Sequence, residues 1–467
     1  MTKPGKLATK LLVIFLLAGI QGSAGGMLQA CAESGEDATA RKKSEPGTEG
    51  PGAKSLSPEE RIAALEEMVR LLGERIRELE SHASGATASA AASASGALPA
   101  GRTPSDPPAA ATAAAQPADS AAPAAAPAGN VHSFFDKVTF SGLVDTYYGF
   151  NFNRPAGRSN ALYNFDVNHN QFSLNLLELA IERQADPIGF RLDLDFGDTA
   201  RMVAASEPGG TNLYQFLQQA YVTYKAPLGK GLTIDFGKFV TPFGAEVIET
   251  PANYNYSRSL LFSWAIPYYH FGTRLSYALN NKVAFSGMVV NGWNDVVDNN
   301  GGKSVHVAVS LTPFKKLNII QNYIVGAEQP GNDHDKRQVL DTVVTFSATD
   351  RLSLMANYDY GMDRISGARE RYQGVAGYLR YAFSPRFAIS SRVEWFTDPQ
   401  GLATGLGQTL KEATLTSEFK VRQGMLLRAE YRTDWSDRPF FQKRSGVPAH
   451  SQTTGTLGMI YLLGQEH

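Results

Sequence analysis

The chain has 467 residues, a formal net charge of −1 and one cysteine. That length exceeds one compact soluble domain unless the fold is a barrel or solenoid, and the balanced charge gives no reason to invoke nucleic acid or an acidic substrate. The lone cysteine excludes a disulfide within one copy.

Lys3, Lys6 and Lys10 precede the apolar run Leu11–Ile20, and small residues follow. This layout predicts a secretory signal peptide within residues 1–32. Gly22-Ser23-Ala24 suits cleavage after Ala24, and Ala30-Cys31-Ala32 suits cleavage after Ala32. Leu28-Gln29-Ala30-Cys31 offers a third route, a lipobox that would make Cys31 a lipid-anchored N-terminus. Beyond this segment no apolar run reaches the roughly 18 residues that a membrane-spanning helix needs.

Residues 33–56 carry no periodicity and are expected to be disordered. Residues 57–81 read as a helix, with Ser57 as N-cap, Pro58 at the first helical position, and Glu59 and Glu60 against the dipole. Ile62, Leu65, Val69, Leu72, Ile76 and Leu79 alternate spacings of three and four. That is a coiled-coil seam of about three heptads, with β-branched residues at a and Leu at d. The same pattern also fits an amphipathic helix lying on a surface. Residues 82–130 are Ala, Pro and Ser with hardly a large apolar side chain, which predicts an extended, disordered linker. It would let the coiled coil sit well below a membrane, in reach of peptidoglycan.

From Thr139 onward, short segments alternate apolar and polar residues, about sixteen of them. Residues 133–467 are therefore expected to form one all-β domain. Connections alternate short and long. Ala185-Asp186-Pro187, Asn280-Asn281, Pro313-Phe314, Thr349-Asp350, Ser384-Pro385 and Arg422-Gln423 are short and turn-forming. Residues 154–169, 198–215, 241–268, 397–408 and 436–452 are long and polar. Segments near Leu352–Gly361 and Tyr372–Phe383 leave a similar stretch between them. Period two combined with that asymmetry predicts a closed transmembrane antiparallel β-barrel of about sixteen strands, both termini on the tight-turn side. The 19 Tyr and 25 Phe supply rings for its two interfacial girdles.

Alternation assigns the faces. Phe190, Leu192, Leu194 and Phe196 face lipid, and Arg191, Asp193 and Asp195 face the lumen. Leu427, Ala429, Tyr431 and Thr433 point out, and Arg428, Glu430 and Arg432 point in. A charge on the lipid face costs roughly 2–4 kcal/mol at mid-depth, which fixes the choice. By the same rule Arg274, Asp359, Arg380, Arg392, Glu394, Glu412, Glu418 and Lys420 join the lumen lining.

Gln219-Ala220-Tyr221-Val222-Thr223-Tyr224 leads through Gly237-Lys238-Phe239 into Thr241-Pro242-Phe243-Gly244. Glu246-Val247-Ile248-Glu249 and Pro251-Ala252-Asn253-Tyr254-Asn255-Tyr256-Ser257-Arg258-Ser259 continue the run, then Val290-Asn291-Gly292-Trp293-Asn294. This segment resembles the β-barrel porin-2 family, the OmpL-like outer-membrane porins. The resemblance implies a barrel in the outer membrane of a Gram-negative bacterium, with the N-terminal region periplasmic. It also implies a water-filled channel for passive diffusion of small hydrophilic solutes, outer-membrane lipid around it, and a homo-oligomer, with a trimer in view. It supplies no catalytic residues and no cofactor. By analogy with porins whose third long loop enters the barrel, Glu246, Glu249 and Arg258 are candidates for a pore constriction facing wall charges on strands thirteen to fifteen.

Two other functions stay open on the same residues. A plugged barrel could tether the outer membrane to the cell wall through its coiled coil, or the pore could select anions such as phosphate. The near balance of lumen charge argues against a cationic ladder. Asp295, Asp298, Asn299 and Asn300 lack EF-hand spacing, the eight His show no zinc spacing, and no Ser/His/Asp set stands out, so neither a metal site nor an enzyme is expected.

Overall fold

A computed structural model describes residues 137–210, 214–422 and 424–464. The signal segment, the 57–81 seam and the linker lie outside those residues.

The short alternating segments pair with their neighbours because every strand edge in lipid must find a partner. The result is a closed antiparallel barrel. Fifteen strands follow in chain order. They are β1 Val138–Asn151, β2 Gln171–Arg183, β3 Ile188–Phe196, β4 Leu217–Ala226 and β5 Leu232–Val240. Then come β6 Tyr269–Ala278, β7 Val283–Val290, β8 Ser304–Phe314, β9 Leu317–Gly326 and β10 Arg337–Ser347. The run ends with β11 Leu352–Ile365, β12 Ala368–Ser384, β13 Phe387–Asp398, β14 Gln408–Arg422 and β15 Met425–Ser436. A two-stranded hairpin, β16 Phe441–Gln442 and β17 Pro448–Ala449, lies in the last long loop. The sixteenth wall strand is β18 Ser451–Leu463, which closes the ring on β1 with Asp145 opposite Ile460.

Faces follow the pleat. On β15, Arg428, Glu430, Arg432 and Asp434 are buried while Leu427, Tyr431 and Trp435 are exposed. Among the described residues no helix is long and apolar enough to cross a membrane.

Two connections differ from the sequence reading. The stretch between β11 and β12 is not a loop. Met362 to Ile365 pairs with Arg371 to Ala368 in one continuous ladder, closed by Ser366-Gly367. Both turn residues have positive φ, 51° and 84°, the geometry of a two-residue hairpin turn matched to strand twist. Likewise Pro313 and Phe314 belong to β8, and the turn is Lys315-Lys316. The register shifts between Leu311 and Phe314, so Pro313 sits where the ladder is already broken and its missing N–H costs nothing.

Candidate functional site

The β5–β6 connection, residues 241–268, is grouped by its length with the polar connections, yet it carries too many apolar side chains for a loop in water. Phe243, Ile248, Leu260, Leu261, Phe262, Ala265 and Ile266 are each at most 3 % exposed. Burying a Leu, Ile or Phe side chain contributes about 1.5–3 kcal/mol, so the segment turns inward. It packs with Leu162 and Phe165 of the first long loop and with Tyr372, Phe396 and Leu410 of the wall. Within it, Thr250–Ala252 forms one 3-10 turn and α1, Leu260–Trp264, starts at Ser259, whose hydroxyl accepts from Phe262 N. (A separate short helix, Asp198–Val203, lies in the second long loop.)

An irregular backbone inside a barrel needs partners for every N–H and C=O. The charged wall of β13–β15 supplies them. Arg392 Nη1 donates to Ser257 O at 2.7 Å, and Arg432 Nη1 to Arg258 O at 2.7 Å. Arg428 donates to Thr250 O, Asn253 O and Asn255 O at 2.8, 2.8 and 3.0 Å. In the other direction, Glu430 accepts from Tyr256 N and Ser257 N at 2.6 and 3.0 Å. Glu394 accepts from Leu260 N and Leu261 N at 2.9 and 3.2 Å. Two strands along from β15, Asp145 of β1 takes the Thr250 and Tyr256 hydroxyls at 2.6 and 2.8 Å.

Behind this layer the same wall is neutralised in pairs. Arg392 meets Glu246, Glu412 and Glu394 at 2.8, 3.0 and 3.2 Å, all fully buried. Arg428 meets Glu418 at 2.6 Å, Arg380 meets Glu418 at 2.8 Å, and Arg432 meets Asp434 at 2.7 Å. Arg392, Glu394, Arg428, Glu430 and Arg432 therefore touch the inserted loop, and Glu412, Glu418 and Asp434 pair with those arginines, while Lys420 stays exposed. Alternation had placed them inside but could not say what would fill the space.

The three candidate loop residues part company. Glu246 turns to Arg392 on β13. Glu249 turns to the other side, where Gln218 Nε2 of β4 donates to it at 3.0 Å. Arg258 is folded back on its own loop, donating to Val247 O at 2.9 Å, Tyr256 O at 2.5 Å and Ile248 O, so it faces no wall carboxylate at hydrogen-bond distance. The opposite wall keeps its own pairs: Arg191 with Asp193 at 2.8 Å and with Glu182 at 3.1 Å, and Arg274 with Asp235 at 2.8 Å. Asp193 and Asp195 are buried, Asp359 lies beside Asn357, and Lys420 is exposed at the tight-turn end.

Asp145, Asp341 and Asn357 also hold the loop, and the sequence reading missed them. Asp341 accepts from Gly244 N at 3.2 Å, and Asn357 Oδ1 accepts from Ala245 N at 3.0 Å. The available signal was strand parity: Asp145 shares the inward set of Leu143 and Tyr147, which is buried along β1.

Close approach of loop and wall needs two inward glycines. A Cβ on Gly458 would overlap the Tyr256 ring, and one on Gly374 would meet Leu261 and Phe396. Gly458→Leu is therefore expected to lift Tyr256 off Asp145 and loosen the loop. The check is faster protease cleavage within residues 241–268 of the folded, detergent-solubilised barrel; wild-type resistance would count against the seat.

A sixteen-stranded antiparallel barrel with a long loop held inside by wall charges defines the porin class. The family model described as "Putative beta-barrel porin-2, OmpL-like" matches residues 137–463. The chain belongs to that family, and it is an outer-membrane channel for passive diffusion. No curated protein matches it in sequence. The chain is also similar to solved structures. An anion-selective porin from Comamonas acidovorans is 9% identical with TM-score 0.50, covering 70% of this chain and 99% of its own. OprB of Pseudomonas putida, at high pH, is 14% identical with TM-score 0.48, covering 72% and 96%. The outer-membrane channel DcaP of Acinetobacter baumannii is 12% identical with TM-score 0.47, covering 70% and 97%.

Proposed function

We propose that the inserted 241–268 loop sets the narrowest point of a small-solute channel and that the acids Glu246 and Glu249 tune its charge preference. The supporting observation is the buried Glu246–Arg392 pair at 2.8 Å, which fixes the loop against β13 while Glu249 is turned to the far wall. Val247 between them is exposed and offers an apolar edge to a passing solute. Arg258 acts by holding the loop's shape rather than by facing the solute. The channel performs no chemistry on what it passes.

In this reading the tight turns and the N-terminal region lie in the periplasm and the long loops face outward. The coiled-coil seam is then placed to reach the cell wall through its linker. The barrel works as a homo-oligomer, taken here as a trimer. Its outward face over β9–β12 carries hydrogen-bonded polar pairs that lipid would not favour: Gln321 with Thr342, Tyr323 with Gln338, and Tyr358 with Gln373. Burial of that face between subunits removes them from acyl chains.

Single-channel recording from purified protein tests both points. Small conductance steps closing in groups of three are expected, because the loop fills much of the lumen. A silent barrel would sink the reading. Replacing Glu246 and Glu249 together with Gln is expected to shift the zero-current potential in a salt gradient toward anions. An unchanged potential would remove both acids from the constriction.

A further inference from the structure

The tight-turn end of the lumen opens into a cavity of about 850 Å³, roofed by Pro251, Ala252, Asn253 and Tyr254 of the inserted loop. Its charged lining is Arg380, Arg386, Lys420, Arg422 and Arg428 against a single carboxylate, Glu418. Glu418 is already shared, at 2.8 Å from Arg380 and 2.6 Å from Arg428. Arg386, Lys420 and Arg422 are exposed, and among the described residues none of the three has a carboxylate within ion-pair reach. The lumen is thus balanced at mid-depth but carries an excess of positive charge at one end.

The surrounding rim has the same sign. Tight turns two to six each carry an exposed cation, Lys230, Lys282, Lys316, Arg351 and Arg386, and β14 ends on the exposed Arg422. Exposed acids there are few. Asp350 is one, and Asp186 is 3.7 Å from Lys137. The long-loop end mixes both signs, as in Lys303 with Asp298 and Arg337 with Asp363.

Several fixed charges in so small a volume correspond to a local density on the order of molar, which mobile anions must neutralise and cations must avoid. The cavity is about as wide as the Debye length at physiological salt, roughly 8 Å, so its field is not screened away across the opening. The guanidinium forks of Arg386 and Arg422, from neighbouring ends of the wall where Lys420 N donates to Arg386 O, suit planar or tetrahedral oxyanions. We propose that this cavity is an anion-binding vestibule, and that the channel prefers small solutes bearing carboxylate or phosphate groups. The proposal rests on the porin reading and names the solute class that reading leaves open.

The test uses the full-chain protein in planar bilayers, with Arg386→Gln, Lys420→Gln and Arg422→Gln combined in one variant. The wild type is expected to pass chloride severalfold better than potassium in a tenfold KCl gradient, and the variant to lose most of that preference. Citrate or inorganic phosphate added on the tight-turn side should reduce the wild-type chloride current and spare the variant's; comparing the two anions separates carboxylate from phosphate preference. Potassium preference in the wild type, or a variant with unchanged selectivity and block, overturns the proposal. So does an effect confined to dependence on phosphatidylglycerol in the bilayer, which would assign the cations to lipid headgroups. Should no channel form, the porin reading fails on its own. Calorimetric titration of the solubilised protein with citrate then decides the vestibule: tenfold weaker binding by the variant supports it, and no wild-type binding overturns it.

Discussion

Arg392→Ala will release the inserted loop and is expected to be the most damaging single change in the barrel interior. The guanidinium lies between Glu246, Glu394 and Glu412 and also donates to Ser257 O, so its loss strands three buried carboxylates and a loop carbonyl together. Removing one partner of a buried ion pair costs about 3–5 kcal/mol; water entering a freed lumen would bring the loss to the low end. The loop should move off β13, giving larger single-channel conductance and a lower temperature for the folded-to-unfolded mobility shift on gels. Arg392→Lys keeps the charge but not the fork, so it should fall between. Lys137→Ala is the control: its pair with Asp186 spans 3.7 Å at the exposed rim, where such pairs contribute about 0–1 kcal/mol. Wild-type conductance and heat stability in Arg392→Ala would show that the loop is held by its apolar contacts instead.

Most of the wall is legible in the sequence because one physical rule acts on every strand. Arg428, Glu430 and Arg432 alternate with Ala429 and Tyr431, and only one facing keeps those charges out of lipid. The rule weakens where the chain leaves the bilayer. Asp363, Arg364, Arg369, Glu370 and Arg371 look like a solvated loop, yet they continue the β11–β12 ladder, since strands in water need no apolar face. Pro313 misleads for a related reason: it reads as a turn but sits at a register shift inside β8.

The interior is harder to foresee. Glu246 and Arg392 are 146 positions apart, and nothing local to either announces the other. Parity places Arg392 inside the ring without saying whether water or backbone will meet it. The apolar content of 241–268, with Leu260, Leu261 and Phe262 in a row, is the one local signal that this connection could not remain in solvent. Glu249 is held by Gln218 and Arg258 by the loop's own carbonyls at Val247, Ile248 and Tyr256, contacts that spacing does not announce.

The long loops are expected to tighten as the pH falls, and conductance should fall with them. Asp166, in the first long loop, has its pKa pushed up to about 7, mainly by burial and then by the nearby Glu430 carboxylate. Asp295, in the fourth, is pushed up to about 8 by burial and then by Glu328, Glu207 and Asp298. Glu328 is itself raised by burial. For an acid whose folded pKa lies above its unfolded value, the folded state holds the proton more tightly. Its stabilising contribution is complete below about pH 4 and is lost as the pH rises through 7 to 8. His169 works the other way. Burial, and then Arg158 and Arg154, lower its pKa, and its Nδ1 accepts from Asn151 N at 2.8 Å, so its contribution fades as the pH falls below its ordinary range near 6.5. The first loop is tied to the inserted one, with Trp264 Nε1 donating to Leu162 O at 3.0 Å and Asn164 Nδ2 to Ser263 O at 2.9 Å, so loosening one frees the other. Conductance measured from pH 5.5 to 8.5 should therefore rise, steepest between 7 and 8, and Asp166→Asn with Asp295→Asn should hold the low-pH value throughout. A flat wild-type profile, or a double variant that keeps the wild-type slope, would show that these acids titrate without moving the loops.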